Sequence, residues 1–407
     1  MTSWVESIHD DCVQWTGYKP CPVQKEQGFF DCTDCVLYEP DTTINDNICE
    51  PFGPDKLVSA SSVGVIEMGG LGSILRTSAV TRAVKELNPN ARIVWFTHSR
   101  GCELLKYVPG VMPVNSEAQQ PDACGEIVGG LDVVLNFETD SDIARSIVSL
   151  ARCVGGFGIN QADKFVGVMP HAEKLQRVQV DDKFRRENHQ TMQELLLESV
   201  GLAAEPAQYD VMLDKSNIQA AKFILGREFE NQYRTIVGLN IGSSQKGIVK
   251  RWPVDSFVRL AHELSASDRE IGLAILSGPE EEDLRDEVEE SIQSTGLANV
   301  KVLPKGIEIG NFMAIIGELD GVVTADTFAF HVAKAVGTPA VALAGPTPHN
   351  ELEVGAGDVV IGPKLACSPC FGRCVRNIIG ECMSAIGVNE VLEASKTVVF
   401  RDRTLVG

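Results

Sequence analysis

The chain has 407 residues and a formal net charge of −20, from 56 acidic and 36 basic side chains. Its 44% of hydrophobic and 23% of charged residues are typical of globular domains and exclude a disordered or collagen-like protein. The negative charge excludes general nucleic-acid binding, which needs a basic surface to neutralise phosphates. The sequence has no apolar run of about 18 residues and no secretory signal, so we expect a soluble, cytoplasmic protein.

A first block of alternating strands and helices follows a Cys-rich N-terminal segment, residues 1–56, which has little hydrophobic periodicity. Apolar residues at helical spacing predict a helix over Ile74–Leu87, and Asn88-Pro89 ends it. Residues 166–230 are more polar and helical, and we place the connection between two domains near 205–232. The other predicted elements are strands at Val63–Met68, Ile93–Phe96 and Leu131–Phe137 and a helix at 141–153.

A second block of the same kind begins at Thr235. Its alternating order predicts a parallel sheet with helices on both faces, and therefore an α/β protein with two doubly wound domains, 57–215 and 216–407. Ligands of such sheets bind beyond the carboxyl ends of the strands. The predicted strands are Ile236–Asn240, Ile271–Leu276, Val300–Leu303, Gly321–Thr324 and Ala340–Ala344, and the predicted helices are Val254–Leu264, Glu280–Gln293, Phe312–Leu319 and Phe328–Val336. The strand-end loops are 69–73, 138–140, 242–250, 278–282, 325–327 and 345–347.

Eight of the twelve cysteines lie in two clusters, one near each end of the chain. In a reducing cytosol, close cysteine pairs mark metal or redox sites more often than disulfides. Each cluster has one C-x-x-C pair and two further thiols, which predicts one structural metal centre per cluster, holding zinc or an iron–sulfur cluster. Two alternatives stay open: buried thiols that pack as small hydrophobes, and one site shared by both clusters. The clusters are Cys12, Cys21, Cys32 and Cys35, and Cys367, Cys370, Cys374 and Cys382.

Short motifs occupy the strand-end loops of both blocks. They are Gly69–Thr77 (GGLGSILRT), Ala91–Phe96 (ARIVWF), Asn240–Ser244 (NIGSS), Lys250–Pro253 (KRWP), Ser277–Glu282 (SGPEEE), Thr324–His331 (TADTFAFH), Gly345–Thr347 (GPT) and Cys382–Ile386 (CMSAI). In this order and at this spacing, the motifs resemble those of glycosyltransferase family 9, the ADP-heptose:lipopolysaccharide heptosyltransferases, over about residues 63–395. Residues 1–56 resemble an extension found on some members.

The resemblance implies a GT-B fold, in which two Rossmann-like domains face a cleft. Residues 57–215 would bind the acceptor, and residues 216–407, with a Cys-bearing tail, would bind the nucleotide-sugar donor. The implied reaction is an inverting sugar transfer, usually of heptose from ADP-heptose, that needs no catalytic metal. The departing diphosphate needs positive charge, which the N–H groups of Gly242–Ser244, the Lys250 ammonium and the dipole of the helix that begins near Phe328 can offer.

The same resemblance assigns roles to individual residues. Asp326 faces the donor sugar as a catalytic residue, and Lys250 contacts the phosphates. An acidic residue among Glu280–Glu282, with Glu281 or Glu282 the best aligned, would contact the nucleotide ribose. The implied donor-binding set is Gly72, Gly242, Ser243, Ser244, Lys250, Glu281, Glu282, Thr327, His331 and Gly345.

Ordinary structural roles stay open for three of these positions. Asp326-Thr327 is also typical of a simple helix N-cap. Lys250-Arg251 is also typical of a solvated surface pair, and His331, one turn inside its helix, is also typical of a packed core histidine.

The first loop departs from the family pattern. The family's loop usually ends in Gly-Asp, and that aspartate is the implied general base for the acceptor hydroxyl, whereas this chain has Ser73 at the catalytic position. An unassisted serine hydroxyl cannot accept a proton near neutral pH as a carboxylate does. The preceding strand also carries Glu67 where a basic residue is common. Glu67, Glu138 and Asp140 are the alternative carboxylates, each at a predicted strand end.

Two functions are therefore open. The first is an active transferase that moves a sugar, heptose foremost, from a nucleotide diphosphate sugar to a glycan, lipid or protein acceptor. The second is a catalytically weakened homologue that binds a nucleotide sugar or a partner. The order of the loops disfavours a nucleotide-sugar epimerase. A nicotinamide dehydrogenase is disfavoured because Thr97-His98, not an acidic residue, follows the strand after the first loop. The oligomeric state is open, a homo-oligomer included.

Overall fold

The computed structural model describes residues 52–117, 127–159, 165–167, 171–204, 208–372 and 380–400. The chain divides into two compact units, Met1–Asp210 and Val211–Gly407. The predicted domain boundary between residues 215 and 216 stays a prediction, as does the separate segment 1–56. The N-terminal cysteine cluster (Cys12, Cys21, Cys32 and Cys35) and Cys374 lie outside the described residues.

The first unit contains a six-stranded sheet with the order β3-β2-β1-β4-β5-β6. Strands β1 to β5 pair in parallel, and β6 pairs with β5 in the antiparallel direction. The sequence analysis did not predict this antiparallel edge, which arises because residues 160–164 are too short a connection for a parallel crossover. The strands are β1 Ser62–Ile66, β2 Arg92–Thr97, β3 Val111–Asn115, β4 Val133–Asn136, β5 Val154–Ile159 and β6 Phe165–Gly167.

The helix Leu71–Leu87 follows β1 and buries an apolar face that includes Ile74 and Val84. It begins one turn earlier than predicted, because Gly70 is its N-cap, and it ends at Asn88 as expected. The other helices of this unit are Pro54–Ser59, Ser99–Leu105, Asp142–Ser149, Glu173–Val180, Asp182–Glu187 and Met192–Ser199.

The second unit contains six parallel strands in the order β12-β11-β10-β7-β8-β9. Read from β9 and renumbered from β7, this is the 3-2-1-4-5-6 order of a Rossmann sheet. Strands β8, β10 and β11 are buried along their whole length, as expected for parallel strands covered on both faces. The strands are β7 Thr235–Asn240, β8 Ile271–Leu276, β9 Val300–Val302, β10 Gly321–Ala325, β11 Ala340–Leu343 and β12 Val359–Ile361.

The helices of the second unit pack around this sheet, and the predicted α/β fold with two doubly wound sheets is confirmed. Trp252 packs edge-on against Phe257, with ring centroids 4.9 Å apart, in the core. In the part of the chain that the structure describes, no helix is both long and apolar enough to cross a membrane. The α-helices are Lys215–Phe229, Val254–Ser267, Glu282–Thr295, Ile309–Gly317, Phe328–Val336, Glu381–Ser384 and Val388–Phe400, and 3₁₀ turns lie at Gln245–Lys250, Pro279–Glu281 and His349–Glu351.

Candidate active site

The ends of β7 and β10 lie side by side at the centre of the second sheet, where the strand order reverses. The register pairs Leu239 of β7 with Val323 of β10, so the loops that follow the two strands begin next to each other. Doubly wound sheets bind ligands in the crevice at such a reversal point. Three of the predicted loops, 242–250, 325–327 and 345–347, meet here through their side chains.

Lys250 and Asp326 form an ion pair at this point. The Lys250 Nζ donates to Asp326 Oδ2 at 2.7 Å and to the Asp326 carbonyl oxygen at 3.2 Å. The Asp326 side chain is 7% exposed and that of Lys250 is 32% exposed, so the ammonium covers a buried carboxylate from the solvent side. Thr347 Oγ1 donates to the same carboxylate oxygen at 2.8 Å. Because an ammonium has three donors, the described contacts leave one for a ligand.

The residues on both sides of this lysine fix the position of its backbone. The Arg251 guanidinium donates to the Ser243 carbonyl oxygen from Nη2 at 2.8 Å and from Nε at 3.2 Å. Trp252 is buried, and its Nε1 donates to the Ile386 carbonyl oxygen at 3.1 Å. Both basic residues therefore have protein partners, and the interpretation of Lys250 and Arg251 as a solvated surface pair is wrong.

Asn240, the last residue of β7, ties the two strand ends together. Its buried Nδ2 lies 3.1 Å from Thr324 Oγ1 and 3.3 Å from Thr327 Oγ1, and 3.2 Å from the Gly242 carbonyl oxygen. Thr327 is the N-cap of the helix Phe328–Val336, yet within the described residues its hydroxyl makes no capping bond. The simple N-cap interpretation of Asp326-Thr327 therefore does not describe the contacts of either side chain.

His331 lies on the same helix and is buried beside Asp326. Its Nε2 is 3.6 Å from Asp326 Oδ1, and its Nδ1 is 3.6 Å from Glu353 Oε2. The histidine side chain is 4% exposed, so it packs between two carboxylates rather than at an open surface. The structure thus places His331 behind the Lys250–Asp326 pair.

Of the two glutamates predicted in the loop after β8, Glu281 lies at this end of the sheet and Glu282 does not. Glu281 is buried, and its Oε2 accepts from the Gly278 N–H at 2.6 Å. A Cβ on Gly242 would lie 2.8 Å from Glu281 Cδ, so Glu281 packs directly on the β7 loop. Glu282 is exposed and lies 3.6 Å from Lys305 Nζ on the outer face of its helix.

The remaining predicted residues of this unit serve the loop structure. The Ser243 hydroxyl donates to the Gly247 carbonyl oxygen at 2.7 Å, whereas Ser244 is exposed. Gly345 is buried, and a Cβ there would lie 2.5 Å from Met383 Sδ and 3.0 Å from Cys382 Sγ. Gly345 is therefore explained by the packing of the Cys-bearing tail.

Gly72 and Ser73 lie in the first unit, in the first turn of the helix Leu71–Leu87. The Ser73 N–H donates to the Gly70 carbonyl oxygen at 2.9 Å. Across the loop, His98 Nε2 lies 3.0 Å from the Gly69 carbonyl oxygen. The predicted catalytic pair, Ser73 and Asp326, therefore belongs to two different units.

The carboxyl group of Glu67 is the most strongly perturbed group near this loop. Burial raises the pKa of Glu67 well above its usual range, and the neighbouring Glu138 carboxylate raises it further. A hydrogen bond from the Gly69 N–H, at 2.8 Å, opposes this rise. Burial and the like charge of Glu138 therefore both disfavour the ionised form of Glu67.

The described cysteines of the C-terminal cluster lie next to the 345–347 loop. Ser368, next to Cys367, donates from its Oγ to the Gly345 carbonyl oxygen at 2.6 Å. Cys382 is buried, and Cys367 and Cys370 are half-buried. Among the described residues, no group of three or more His, Cys, Asp or Glu side chains has an arrangement that could hold a metal.

Sequence reasoning assigned no role to three residues that complete the second unit's site: Asn240, Thr347 and Glu353. The first two lie inside quoted motifs, and an amide that ends a buried strand is a detectable signal, because a buried amide must find partners. Glu353 lies outside every motif, and only its position beside His331 reveals it.

Comparison with known proteins identifies the family. The sequence model of glycosyltransferase family 9 (heptosyltransferase) matches residues 160–377, more than half of the chain. No curated protein sequence matches significantly. A family 9 glycosyl transferase from Veillonella parvula DSM 2008 is 18% identical, with a TM-score of 0.60 over 84% of this chain and 97% of that chain.

Two E. coli structures are similar as well. ADP-heptose LPS heptosyltransferase II is 16% identical, with a TM-score of 0.61 over 84% of this chain and 99% of that chain. The dodecameric iron-containing heptosyltransferase TibC, in complex with ADP-D-beta-D-heptose, is 10% identical, with a TM-score of 0.52 over 85% of this chain and 77% of that chain. These identities show a shared fold alone. With the family match, they establish that the chain is a glycosyltransferase of GT-B-like α/β fold and belongs to glycosyltransferase family 9.

Proposed function

We propose that the second unit binds the diphosphate of a nucleotide sugar, ADP-heptose foremost, at the ends of β7 and β10. The observation that carries the proposal is the Lys250–Asp326 pair at the reversal point of the sheet. It supplies a half-exposed cation for the phosphates, held in place by the buried Asp326 carboxylate, and the N-terminal dipole of the helix Phe328–Val336 adds to the attraction. TibC, which is similar in fold, was solved with ADP-D-beta-D-heptose, and this supports the choice of donor.

The proposed reaction is the transfer of that sugar, with inversion, to a glycan, lipid or protein acceptor. The charged groups around the diphosphate are those that stabilise a leaving group of increasing negative charge, without a catalytic metal. Glu281 is the proposed ribose contact, because it packs on the β7 loop whereas Glu282 faces solvent.

Calorimetric titration with ADP and ADP-heptose, followed by an assay of ADP release, tests this function. We expect saturable binding of both ligands, and weaker binding of a nucleotide sugar with another base, such as UDP-N-acetylglucosamine. If neither ADP nor ADP-heptose bound, the donor assignment would be wrong.

One observation favours a second candidate function, a weakened homologue that only binds nucleotide sugars. Ser73 occupies the position where the family resemblance implies the catalytic aspartate, and its hydroxyl is no general base. A protein that bound ADP-heptose but released no ADP with any acceptor would fit this second function.

We also propose that each cysteine cluster holds a structural metal and that the enzyme forms a homo-oligomer. TibC is described as iron-containing and dodecameric. This supports a metal at the C-terminal cluster and the assembly of this chain into a homo-oligomer. Four thiolates suit zinc or an iron–sulfur cluster. Elemental analysis of anaerobically purified protein should find metal, an iron–sulfur cluster should absorb visible light, and light scattering should report the assembly. Less than about 0.3 metal atoms per folded chain would contradict the metal proposal, because closed thiolate sites retain their metal.

A further inference from the structure

Two glutamates meet at the carboxyl ends of β1 and β4, where the first sheet reverses its strand order. Glu67 follows β1 and Glu138 follows β4, and the register pairs Ile66 with Asn136. The Met68 N–H, next to Glu67 in the chain, donates to Glu138 Oε1 at 2.5 Å, and the two carboxyl groups are close enough for each to feel the other's charge. The first unit therefore has a carboxyl pair at the position where doubly wound sheets bind ligands.

The two members of this pair differ in accessibility. Glu67 is 7% exposed, its Oε1 accepts from the Gly69 N–H at 2.8 Å, and Thr77 Oγ1 lies 3.5 Å from its Oε2. Glu138 is half-buried, so its carboxylate is within reach of a ligand. The pair therefore has an inner member enclosed by the protein and an outer member open to the loop surface.

Asn136 holds the outer member in place. Its Nδ2 donates to the Glu138 carbonyl oxygen at 3.0 Å, and its Oδ1 accepts from the Glu138 N–H at 3.0 Å. The same Nδ2 donates to the Phe157 carbonyl oxygen of β5 at 2.8 Å. A carboxylate whose backbone is fixed on both sides is preorganised for proton transfer, which depends on geometry first.

The pair lies next to the serine that replaces the expected carboxylate. An ideal Cβ on Gly69 would lie 2.6 Å from Glu67 Oε1 and 3.5 Å from Ser73 Oγ. The inner glutamate and Ser73 thus line the same small space inside the loop. Residue 73 has no carboxyl group in this chain, but the glutamate pair brings carboxyl groups to the same loop.

Two other groups at this end of the sheet are poorer bases by geometry. His98 uses both ring nitrogens, because Nδ1 accepts from the Gly101 N–H at 3.1 Å and Nε2 lies 3.0 Å from the Gly69 carbonyl oxygen. Asp140 is exposed and lies just before the helix Asp142–Ser149. Of these groups, only Glu138 combines an accessible carboxylate with a fixed backbone.

We propose that Glu138 is the general base of the transfer and that Glu67 is a positioning residue that holds the Glu138 carboxylate. This inference rests on the proposed nucleotide-sugar transfer. The acceptor O–H proton passes to a Glu138 carboxylate oxygen while the acceptor oxygen bonds to the anomeric carbon of the sugar. The bond from that carbon to the diphosphate oxygen breaks, and its electron pair leaves with the nucleoside diphosphate.

The test uses ADP-heptose with water as acceptor, so that no unidentified acceptor is needed. ADP release is measured for the wild type, for Glu138→Gln and for Glu86→Gln, a matched control on an exposed carboxyl of the same unit. Glu138→Gln keeps the shape of the side chain and removes the base, so ADP release should fall by about 10²–10⁴-fold. Calorimetric ADP affinity should stay unchanged in both variants, and Glu86→Gln should release ADP at the wild-type rate.

The positioning role of Glu67 is tested by a pair of variants. Glu67→Gln keeps a neutral hydrogen-bond donor toward Glu138 and should retain ADP release within about threefold, whereas Glu67→Ala should lose at least about tenfold. Thermal unfolding shows whether each variant is folded. If Glu67→Ala is unfolded, the test relies on the isosteric variants Glu67→Gln and Glu138→Gln. Equal ADP release by Glu67→Gln and a folded Glu67→Ala would remove the positioning role.

The outcomes separate this inference from the proposed function. Wild-type rates in Glu138→Gln would overturn the base assignment, and so would a wild type that binds ADP-heptose without releasing ADP above the buffer rate. A wild type that binds neither ADP nor ADP-heptose would instead overturn the donor assignment.

Discussion

The two sheets share one strand order around their centres, yet the first unit has a carboxyl pair at its reversal point and the second has an ammonium–carboxylate ion pair. In the first unit, Asn136 ends β4 and supports the half-buried Glu138 beside Glu67. In the second unit, Asn240 ends β7 and supports a loop whose Lys250 pairs with Asp326. A carboxyl pair repels a diphosphate and attracts a proton, whereas a half-exposed ammonium attracts a diphosphate. If the proposed function holds, one strand order serves two tasks that are set by the residues just after its strands.

A large gain in rate should come from moving the carboxylate of the first unit back to residue 73. In a Glu138→Gln background, Ser73→Asp should raise ADP release by about 10–10²-fold, because it returns a carboxylate to the same loop. The assay is ADP release from ADP-heptose, compared with Glu138→Gln alone. Ser73→Asn in the same background has the same size without the charge and should give no gain. Equal rates for Asp and Asn at residue 73 would show that the first loop has no catalytic role.

The cation of the second unit should affect donor binding. Lys250→Ala should weaken ADP binding by about 1.5–3 kcal/mol, or roughly 10–100-fold, because it removes a charged contact. Lys305→Ala is the matched control, since Lys305 also pairs with carboxylates but lies in the exposed loop after β9. Calorimetry should find its ADP affinity unchanged. Similar losses in the two variants would mean that net charge, and not the site, controls binding.

The elements of both units could be predicted because their hydrophobic patterns are local. Ile271–Leu276 and Phe328–Val336 have the predicted bounds, since a buried apolar run and a helical face closed by glycine are unambiguous. Strands β3, β5, β6 and β12 were missed. Strands β3 and β12 are only partly buried at the edges of their sheets, and β3 contains Pro113, which is tolerated at edges but weakens a strand pattern. Strand β5 is buried but contains three glycines, and β6 has only three residues.

The two sites could be predicted only in part, because their partners come from distant parts of the chain. The motif order placed Lys250 and Asp326 in one site before the structure showed their contact at 2.7 Å. The pairing of Glu67 with Glu138 depends on β4 lying beside β1, which a strand order shows and a sequence pattern does not. Glu281 and Glu282 are adjacent in the sequence. Which of the two is buried depends on the backbone conformation of the 3₁₀ turn Pro279–Glu281, and a sequence pattern does not show it.

The carboxyl pair of the first unit also predicts a pH dependence of stability. Since the pKa of Glu67 is raised in the folded state, the folded protein holds a proton that the unfolded chain releases between the two pKa values. Stability therefore falls as pH rises through this interval. Glu67→Gln removes that titration, so its free energy of unfolding should rise relative to wild type across the interval. Denaturant unfolding from acidic to alkaline pH measures the difference, and a constant difference between the two proteins at all pH values would contradict it.

The smallest effects should come from two loop glycines, Gly242 and Gly69. In each unit, a glutamate side chain occupies the space that a Cβ on the glycine would need. A Cβ on Gly242 would lie 2.8 Å from both Cγ and Cδ of Glu281, whereas a Cβ on Gly69 would meet only the Oε1 of Glu67 at 2.6 Å. The stem of Glu281 is fixed because its Oε2 accepts from the Gly278 N–H. Gly242→Ala must therefore displace a whole buried side chain, and Gly69→Ala only one carboxyl end.

We expect Gly242→Ala to destabilise the protein by about 1–3 kcal/mol, as overpacking does, and to weaken ADP binding through the displaced loop. Gly69→Ala should cost less stability and leave ADP affinity unchanged, because it acts on the first unit. Gly226→Ala is the control: it lies inside the helix Lys215–Phe229, where the nearest atom to its Cβ is 3.7 Å away, and should stabilise by about 0.5–1 kcal/mol. Denaturant unfolding and calorimetry measure both properties. If Gly69→Ala weakened ADP binding as much as Gly242→Ala, the proposed division of tasks between the two loops would be wrong, because a side chain added to the first unit would then change binding at the second.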